Sequence, residues 1–146
     1  MYIERGNKMK DDCIFCKIAA GKIPSSTIYE DSHFRVFLDI NPLTKGHCLI
    51  VPKEHFTNIY DLDAETAGKV FTLATLISRA LKNVLKCDGL NVIQNNELLA
   101  GQSVFHFHMH LIPRYKGDGL IFMGEQKPGD MEEIGKIRDL LREELQ

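Results

Sequence analysis

Residues 104–114 read Val-Phe-His-Phe-His-Met-His-Leu-Ile-Pro-Arg, and this stretch decides which fold we expect the chain to adopt. Its three histidines, His106, His108 and His110, alternate with apolar residues. Successive side chains of a β-strand point to opposite faces of the sheet. We therefore expect a strand that turns its apolar residues to the core and places all three imidazoles on one face, beside a cleft.

Three imidazoles on one face suit nucleophilic chemistry at phosphorus. A neutral imidazole is a good nucleophile near pH 7 because its ordinary pKa is about 6.5. Attack also needs a fixed ring tautomer and donors aimed at the developing negative charge, and neighbouring imidazoles supply both. The preceding Gly101-Gln102-Ser103 adds a close backbone approach, an amide and a hydroxyl for phosphate oxygens. The alternative interpretations are a chance cluster and a purely structural metal site.

The pattern on either side of this stretch predicts an α+β fold with one antiparallel sheet. Besides the histidine strand, we expect strands at residues 28–30, 34–38, 47–51 and 90–94. We expect helices at residues 13–20, 64–86 and 131–144. The long second helix has apolar residues at the i, i+3, i+4 spacing of an amphipathic helix, with Asp63 as its N-cap and Gly89 as its stop.

The composition fits one globular domain. The 146 residues are 44% hydrophobic and 26% charged, so we expect a single domain over residues 13–146 after a flexible tail over residues 1–12, in which Met9 is an alternative start. The net charge of −2 argues against binding to nucleic acid polymers, because that affinity comes from Lys and Arg on phosphates. No apolar run reaches the roughly 20 residues of a membrane span, and the N-terminus lacks a secretory pattern, so we expect no membrane association and a cytoplasmic location.

Cys13-Ile14-Phe15-Cys16 contains two of the four cysteines. In a reducing compartment a Cys-x-x-Cys pair is typical of metal or redox chemistry. Two reduced, buried cysteines on a short helix are the simpler alternative. A thioredoxin-like redox pair is a third one, although no strand precedes the motif. Cys48 and Cys87 are interpreted as small packing residues.

Several of these stretches together resemble the histidine triad (HIT) family. The resemblance is carried by Gly101 through Arg114, by residues 13–18 and 37–40, and by Gly46-His47 with Val51-Pro52-Lys53-Glu54-His55. It covers roughly residues 13–117 and is closest to the bacterial and archaeal Hit-like proteins. The chain has no Trp, unlike the Hint branch, and its Pro113-Arg114 is also found in the Fhit branch. The resemblance implies a homodimer of α+β subunits, each with a five-stranded antiparallel sheet, a long helix, a C-terminal helix and a nucleotide cleft.

The resemblance also implies a role for each site residue. His108 would be the nucleophile and would form a nucleotidyl-histidine that water then hydrolyses, with His106 beside it. Gly101 would belong to the nucleotide-binding loop, and His110 and Ser103 would contact the α-phosphate region. Gln102 would contact the bridging or leaving oxygen. Asp39 would bind the ribose hydroxyls, Asn95 the sugar-phosphate side, and His47 would support the triad. The apolar pocket around the base would consist of Ile14, Phe15, Ile18, Phe37 and Ile40. The alternative is that these residues are ordinary core residues.

A structural zinc site is implied by the same resemblance. Cys13 and Cys16 match one half of a tetrahedral Cys₂His₂ site, and His55 and His106 match the histidines that complete it in zinc-containing members. Four protein ligands leave no open position for water, so such a zinc ion would be structural. It would also fix the orientation of the His106 ring beside the nucleophile.

The function expected from these features is a nucleotide hydrolase or phosphoramidase that cleaves a P–N or P–O–P bond at the α-phosphate. Its partner would be a purine nucleotide or nucleotide conjugate. The sequence does not reveal which leaving group that substrate carries. One alternative is a nucleotide-binding or interaction protein with incidental turnover. Another is a nucleotidyl transferase, although the third histidine, His110, favours hydrolysis.

Overall fold

The computed structural model describes residues 10–146, and its centre is a five-stranded antiparallel sheet. The spatial order is β1-β2-β3-β5-β4. The strands are Thr27–Glu30 (β1), Phe34–Leu38 (β2), Cys48–Pro52 (β3), Gly89–Ile93 (β4) and Met109–Arg114 (β5). The helices are Ile14–Ala19 (α1), Ala64–Leu85 (α2) and Met131–Glu144 (α3). These elements confirm the predicted α+β class, the five antiparallel strands, the long helix and the C-terminal helix.

The expected flexible tail falls largely on residues 1–9, which lie outside the described residues. Residues 10–12 lead into α1 through a turn that the Cys13 N–H closes by donating to the Lys10 carbonyl oxygen (3.1 Å).

The central strand β3 is buried along its whole length and separates two apolar clusters. Cys48 and Ile50 face the cluster beneath α2, whereas Leu49 and Val51 face the cluster beneath α1. Strand side chains alternate between faces, so a strand covered by helices on both sides is apolar throughout. The continuous apolar run at residues 47–51 therefore predicted a central strand for a sound physical reason.

The long helix α2 begins as predicted and ends earlier than predicted. Asp63 caps its first turn, where the carboxylate accepts a hydrogen bond from the Thr66 N–H (2.8 Å). The helix ends at Leu85, and Lys86 takes the left-handed conformation with φ 54°. The prediction that Gly89 stops the helix was wrong, because Gly89 is already the first residue of β4.

The histidine strand is shorter than predicted, since β5 starts at Met109 and includes only His110 of the three histidines. The ladder with β3 spans Ile50↔Met109 to Cys48↔Leu111 and does not extend to the residues before Met109, although β3 itself continues to Pro52. The Phe107 N–H instead donates to the carbonyl oxygen of Phe56 in a loop (2.6 Å).

The C-terminal helix α3 has the predicted bounds and an apolar stripe that remains open to solvent. Ile134, Ile137 and Leu141 are 47%, 49% and 56% exposed. None of the α3 side chains is buried against the rest of residues 10–146. Among the helices of these residues, none is long and apolar enough to cross a lipid bilayer.

Candidate active site and metal centre

The three histidines keep the predicted alternation although only one of them is in the ladder. Phe107 and Met109 enter the cluster beneath α2, so the side chains at even positions face the opposite side. His106 and His108 are buried, and the ring centroids of His108 and His110 lie 5.0 Å apart. An extended segment alternates its side chains even where it has no strand partner.

The His108 ring is held in one tautomer by a main-chain atom. Its Nδ1 lies 2.7 Å from the His106 carbonyl oxygen. A carbonyl oxygen only accepts, so Nδ1 carries the proton and Nε2 keeps a free lone pair. Burial lowers the pKa of His108, which keeps the ring neutral. The edge-on ring of Phe15, with its centroid 4.9 Å away, packs against this imidazole.

A short hydrogen-bond relay fixes His110 in the other tautomer. The Leu43 N–H donates to Nδ1 of His47 (3.1 Å), so a neutral His47 carries its proton on Nε2. His47 Nε2 lies 2.9 Å from Nδ1 of His110 and donates to it, which leaves the His110 proton on Nε2. Burial lowers the pKa of His47 and lowers that of His110 to about 4. His110 is therefore a neutral ring with an N–H donor at Nε2, beside the neutral ring of His108.

Asp39 follows β2 and adds one carboxylate to this group. Its Oδ1 accepts from the Asn41 N–H (2.9 Å), and its Oδ2 lies 3.7 Å from His47 Nε2. The negative charge of Asp39 partly opposes the effect of burial, because it raises the pKa of His47, His108 and His110. The structure thus brings Asp39, predicted at the ribose, close to the histidines.

The loop before the histidines carries Ser103 on an exposed turn. A short 3₁₀ helix, Leu98–Ala100, ends at Gly101, whose φ of 91° favours glycine. The side chain of Asn95 lies against Gly101, with Nδ2 3.6 Å from where a Cβ would be. Ser103 lines a cavity of about 430 Å³ that also borders Cys13 and His55. Asn95 is therefore brought against Gly101, whereas Ser103 faces a cavity that His108, His110 and Asp39 do not line.

Gln102 is directed elsewhere than the predicted role requires. Its Nε2 donates to the carbonyl oxygens of Thr57 (2.6 Å) and Val104 (3.1 Å). Its Oε1 accepts from the Glu97 N–H (2.8 Å), and only 1% of the residue is exposed. This arrangement differs from the predicted contact with a bridging or leaving oxygen, because the amide is satisfied inside the protein.

The five residues predicted for the base pocket divide into two groups. Phe15, Ile18 and Phe37 are buried in the cluster beneath α1, as ordinary core residues are. Ile14 and Ile40 are 50% and 88% exposed. Of the five predicted residues, only Ile14 and Ile40 thus present substantial apolar surface to solvent.

The four predicted metal ligands lie together between α1 and the histidine segment. Nδ1 of His106 is 3.4 Å from the Sγ atoms of both Cys13 and Cys16, and Nδ1 of His55 is 3.3 Å from Cys16 Sγ. The four ligand atoms all lie within 4.8 Å of one another. Tetrahedral zinc, with bonds of about 2.3 Å to sulfur and about 2.0 Å to nitrogen, needs sulfur–nitrogen separations of about 3.5 Å.

The protonation of His106 also suits a metal. Its Nε2 lies 2.8 Å from the Pro52 carbonyl oxygen, so Nε2 donates and Nδ1 has a free lone pair facing the two thiols. Burial lowers the pKa of His106 to about 4, which keeps that lone pair available. The donor set, its spacing and its tautomer all fit a zinc ion. This geometry favours a metal site over the alternative of two reduced, buried cysteines that only pack.

A second cluster with metal-ligating atoms does not fit a metal in the same way. Asp39, His47 and His110 also have ligand atoms within 4.8 Å of one another. However, Nδ1 of His47 accepts the Leu43 N–H. Metal binding at Nε2 would require an imidazole without a proton on either nitrogen, or loss of that bond. This cluster is better described as a hydrogen-bond relay.

Three main-chain groups complete the site, and the sequence could not reveal them. The Leu43 N–H and the carbonyl oxygens of Pro52 and His106 select the ring tautomers. Every residue except proline supplies both groups, so side-chain identity carries no signal for them.

Comparison with known proteins extends over most of the chain. The family model described as HIT domain matches residues 20–117. "Protein hit" of Bacillus subtilis is 48% identical over 130 residues, which is 85% of this chain and 90% of the relative. An adenosine 5'-monophosphoramidase of Saccharomyces cerevisiae is 39% identical over 135 residues, which is 92% of this chain and 83% of the relative.

Solved structures show the same fold. A Streptococcus mutans protein aligns with a TM-score of 0.92 at 43% identity, over 97% of this chain and 90% of that one. A zinc-bound histidine triad family protein from Mycobacterium smegmatis aligns with a TM-score of 0.72 at 40% identity, over 86% of this chain and 88% of that one.

Proposed function

This chain belongs to the histidine triad (HIT) family, and from that premise we propose that it is a nucleotide hydrolase whose nucleophile is His108. The observation that carries the proposal is the lone pair on His108 Nε2. It is set by the hydrogen bond from Nδ1 to the His106 carbonyl oxygen, in a neutral and buried ring. A pure nucleotide binder has no need of such a prepared nucleophile.

In the first step His108 Nε2 attacks the α-phosphorus of a nucleotide conjugate. The new N–P bond replaces the P–N or P–O bond to the leaving group, and a nucleotidyl-histidine forms. The ring then carries positive charge, which the His106 carbonyl dipole stabilises at Nδ1–H. His110 Nε2–H and the Ser103 hydroxyl are the donors that we assign to the α-phosphate oxygens, where negative charge develops.

In the second step water cleaves the N–P bond and restores neutral His108. Over both steps one water is consumed, its hydroxyl ends on phosphorus, and its proton ends on the leaving group. The tautomer of His108 is the same before and after, because the His106 carbonyl oxygen can accept only from Nδ1–H. The site is therefore ready for another turnover without a change of ring protonation.

The nucleotide would lie across the loop edge that carries Ser103 and toward Asp39. A carboxylate accepts from both ribose hydroxyls, and among residues 10–146 the group nearest to Asp39 Oδ2 is His47 Nε2, at 3.7 Å. Asn95 and Gly101 would border the sugar-phosphate side. Exposed Ile40 offers apolar surface for a purine. Because a 39% identical relative is an adenosine 5'-monophosphoramidase, an adenosine phosphoramidate is the substrate class that we propose first.

We also assign the Cys13, Cys16, His55 and His106 cluster to a structural zinc ion. Zinc bound there would supply a fixed tetrahedral crosslink between α1 and the histidine segment. His106 would be held on two sides, at Nδ1 by the metal and at Nε2 by the Pro52 carbonyl oxygen. A homodimer is proposed from the family resemblance.

The decisive experiment compares wild type with His108→Ala on an adenosine phosphoramidate, a diadenosine polyphosphate and a nucleoside diphosphate sugar. We expect wild type to hydrolyse at least the first, and His108→Ala to lower kcat/KM by more than about 10³-fold. His33→Ala is the matched control, since His33 is exposed and outside the site. Equal rates for wild type and His108→Ala on all three substrates would refute the proposed nucleophile.

The products separate hydrolysis from the alternatives. Hydrolysis in ¹⁸O-labelled water should place one labelled oxygen on the released nucleotide. A nucleotidyl transferase would instead need a sugar phosphate acceptor for product formation. A binder with incidental turnover would show no covalent nucleotide on His108 after a rapid alkaline quench, in which the N–P bond of a nucleotidyl-histidine survives.

A further inference from the structure

The side chain of Gln102 is closed off from the cleft by its own hydrogen bonds. A primary amide has two N–H donors, and both are used by the carbonyl oxygens of Thr57 and Val104. The Oε1 atom accepts the Glu97 N–H. With 1% of the residue exposed, no free donor is presented to a substrate.

We propose that Gln102 is a positioning residue, which holds Ser103 in place through the main chain and does not itself contact the substrate. This inference rests on the proposed function, because Ser103 is assigned there to the α-phosphate oxygens. The inference concerns the structure of the loop, so it can also be tested by measurements that do not depend on turnover.

The amide ties the loop together on both sides of Ser103. One bond joins it to Glu97, at the start of the loop, and another to Val104, the residue after Ser103. The Gln102 N–H also donates to the Glu97 carbonyl oxygen (3.1 Å). The peptide that carries Ser103 therefore lies within a ring of hydrogen bonds closed by one side chain.

The conformation of Glu97 shows that this loop needs such a constraint. Glu97 has φ 69° and ψ 160°, a region that residues with a side chain rarely adopt. Strained backbone persists only where the surrounding structure holds it firmly. The bond from the Glu97 N–H to Gln102 Oε1 acts directly at the strained residue.

The remaining bond, to Thr57, connects the loop to the segment that carries His55. Asp61 fixes this segment by accepting from the N–H groups of Thr57 and Asn58 (2.9 and 3.0 Å). The neighbouring Phe56 carbonyl oxygen accepts the Phe107 N–H. Gln102 thus places the Ser103 loop relative to a segment that is itself bonded beside His108.

Loss of the amide would leave three main-chain groups, the Glu97 N–H and the Thr57 and Val104 carbonyl oxygens, without this partner. Because both donors are lost in Gln102→Glu, its carboxylate would face the Thr57 and Val104 carbonyl oxygens and repel them. Gln102→Ala removes the ring of bonds without adding a charge. In either variant the Ser103 hydroxyl is expected to lose its fixed distance to the phosphate.

A double-mutant cycle with Ser103 tests the proposal. We expect Gln102→Ala and Ser103→Ala each to lower kcat/KM by about 10- to 100-fold. The double variant should be no slower than the slower single variant, because Gln102 acts only through Ser103. Multiplication of the two factors would overturn the proposal, since it would show an independent contact.

A leaving-group series separates a positioning role from direct contact with the leaving oxygen. Adenylates with leaving groups of different pKa should all lose the same factor in Gln102→Ala. A residue that contacts the leaving oxygen gives a factor that increases with the leaving group's pKa, and that result would overturn the proposal. Gln126→Ala is the matched control, because Gln126 is exposed and remote from the loop.

Side-chain NMR of the wild-type protein needs no variant and no turnover. The two Gln102 amide hydrogens should exchange with water far more slowly than those of exposed Gln126, and their resonances should not move when a nonhydrolysable adenylate is added. Exchange as fast as that of Gln126, or a new hydrogen bond to the adenylate, would contradict the proposal. If wild type cleaved no substrate, the proposed function would fail. This measurement would still show whether the Gln102 amide is bonded inside the protein.

Discussion

Three main-chain atoms at the scale of single residues decide which nitrogen of each buried imidazole is reactive. The His106 carbonyl oxygen exposes the lone pair of His108 at Nε2, and the Pro52 carbonyl oxygen exposes that of His106 at Nδ1. The Leu43 N–H, acting through His47, gives His110 a proton at Nε2. Three chemically identical side chains are thereby suited to the three functions that we propose for them: metal ligand, nucleophile and donor.

Burial of His110 should make the stability of the protein depend on pH. Its folded-state pKa is about 4, below the ordinary 6.5, so between these values the unfolded chain binds a proton that the folded one does not. The free energy of unfolding should therefore be highest above pH 6.5 and fall as the pH drops toward 4. In His110→Asn this fall should be shallower, as measured by urea denaturation between pH 4 and 7. Parallel curves for the two proteins would contradict the assignment.

The sequence predicts the shared face of the three histidines, but it does not predict the direction of every other side chain. Alternation alone places His106, His108 and His110 correctly, because it is a property of any extended chain. The orientation of Gln102 could not be predicted, since one of its partners, the Thr57 carbonyl oxygen, is 45 residues away. Contacts over that separation depend on the finished fold.

At the scale of elements, the turn before β3 depends on a residue without a side chain. Gly46 has φ 88°, and an added Cβ would collide with the Leu85 side chain and lie 3.3 Å from Pro113 Cγ. We expect Gly46→Ala to lower the free energy of unfolding by about 1–3 kcal/mol. Gly68→Ala within α2 meets nothing within 4 Å and should instead raise it by roughly 0.5–1 kcal/mol. Chemical denaturation measures both, and equal effects would contradict the turn argument.

The six-residue helix α1 should depend on the metal for its position. Cys16→Ser should abolish the roughly one zinc per chain that we expect and should lower the melting temperature, because a bound metal stabilises the folded state. Cys87→Ser is the matched control, since Cys87 is also buried but lies outside the cluster. Elemental analysis and thermal melting provide the measurements. Metal-replete protein that folds without zinc would exclude the site.

Most helix and strand bounds were predicted to within one residue, and the start of the histidine strand is the exception. The 3.6-residue period gave the start of α2 and both bounds of α3, because it reflects one apolar face along many residues. The start of β5 was missed because it depends on where its pairings with β3 and β4 end, at Ile50↔Met109 and Ile93↔His110. Nothing in residues 106–108 themselves marks that limit.

At the scale of the whole molecule, the open apolar stripe of α3 bears on the proposed homodimer. The double substitution Ile137→Glu and Leu141→Glu should leave the melting temperature of the remaining fold nearly unchanged, since neither side chain is buried. If α3 lies in the dimer interface, as we expect, light scattering should show wild type as a dimer and the variant as a monomer. A variant that remains dimeric would place the interface elsewhere.

The fold class could be predicted from the order of elements, but the sheet order could not. Insertion of β5 between β3 and β4 depends on pairings such as Leu49↔His110 across some sixty residues. That insertion brings His110 beside His47 and thus creates the relay. The site is therefore a product of topology as much as of the motif.

Because main-chain atoms hold the imidazoles, the protein should tolerate many evolutionary substitutions at the positions that supply those atoms. A replaced side chain at position 43 or 52 still leaves an N–H or a carbonyl oxygen in place, with proline at position 43 as the exception because it lacks the N–H. Drift at these positions can therefore proceed without disturbing the protons of the reactive rings. Gln102 offers no such tolerance, because its bonds come from the side chain itself.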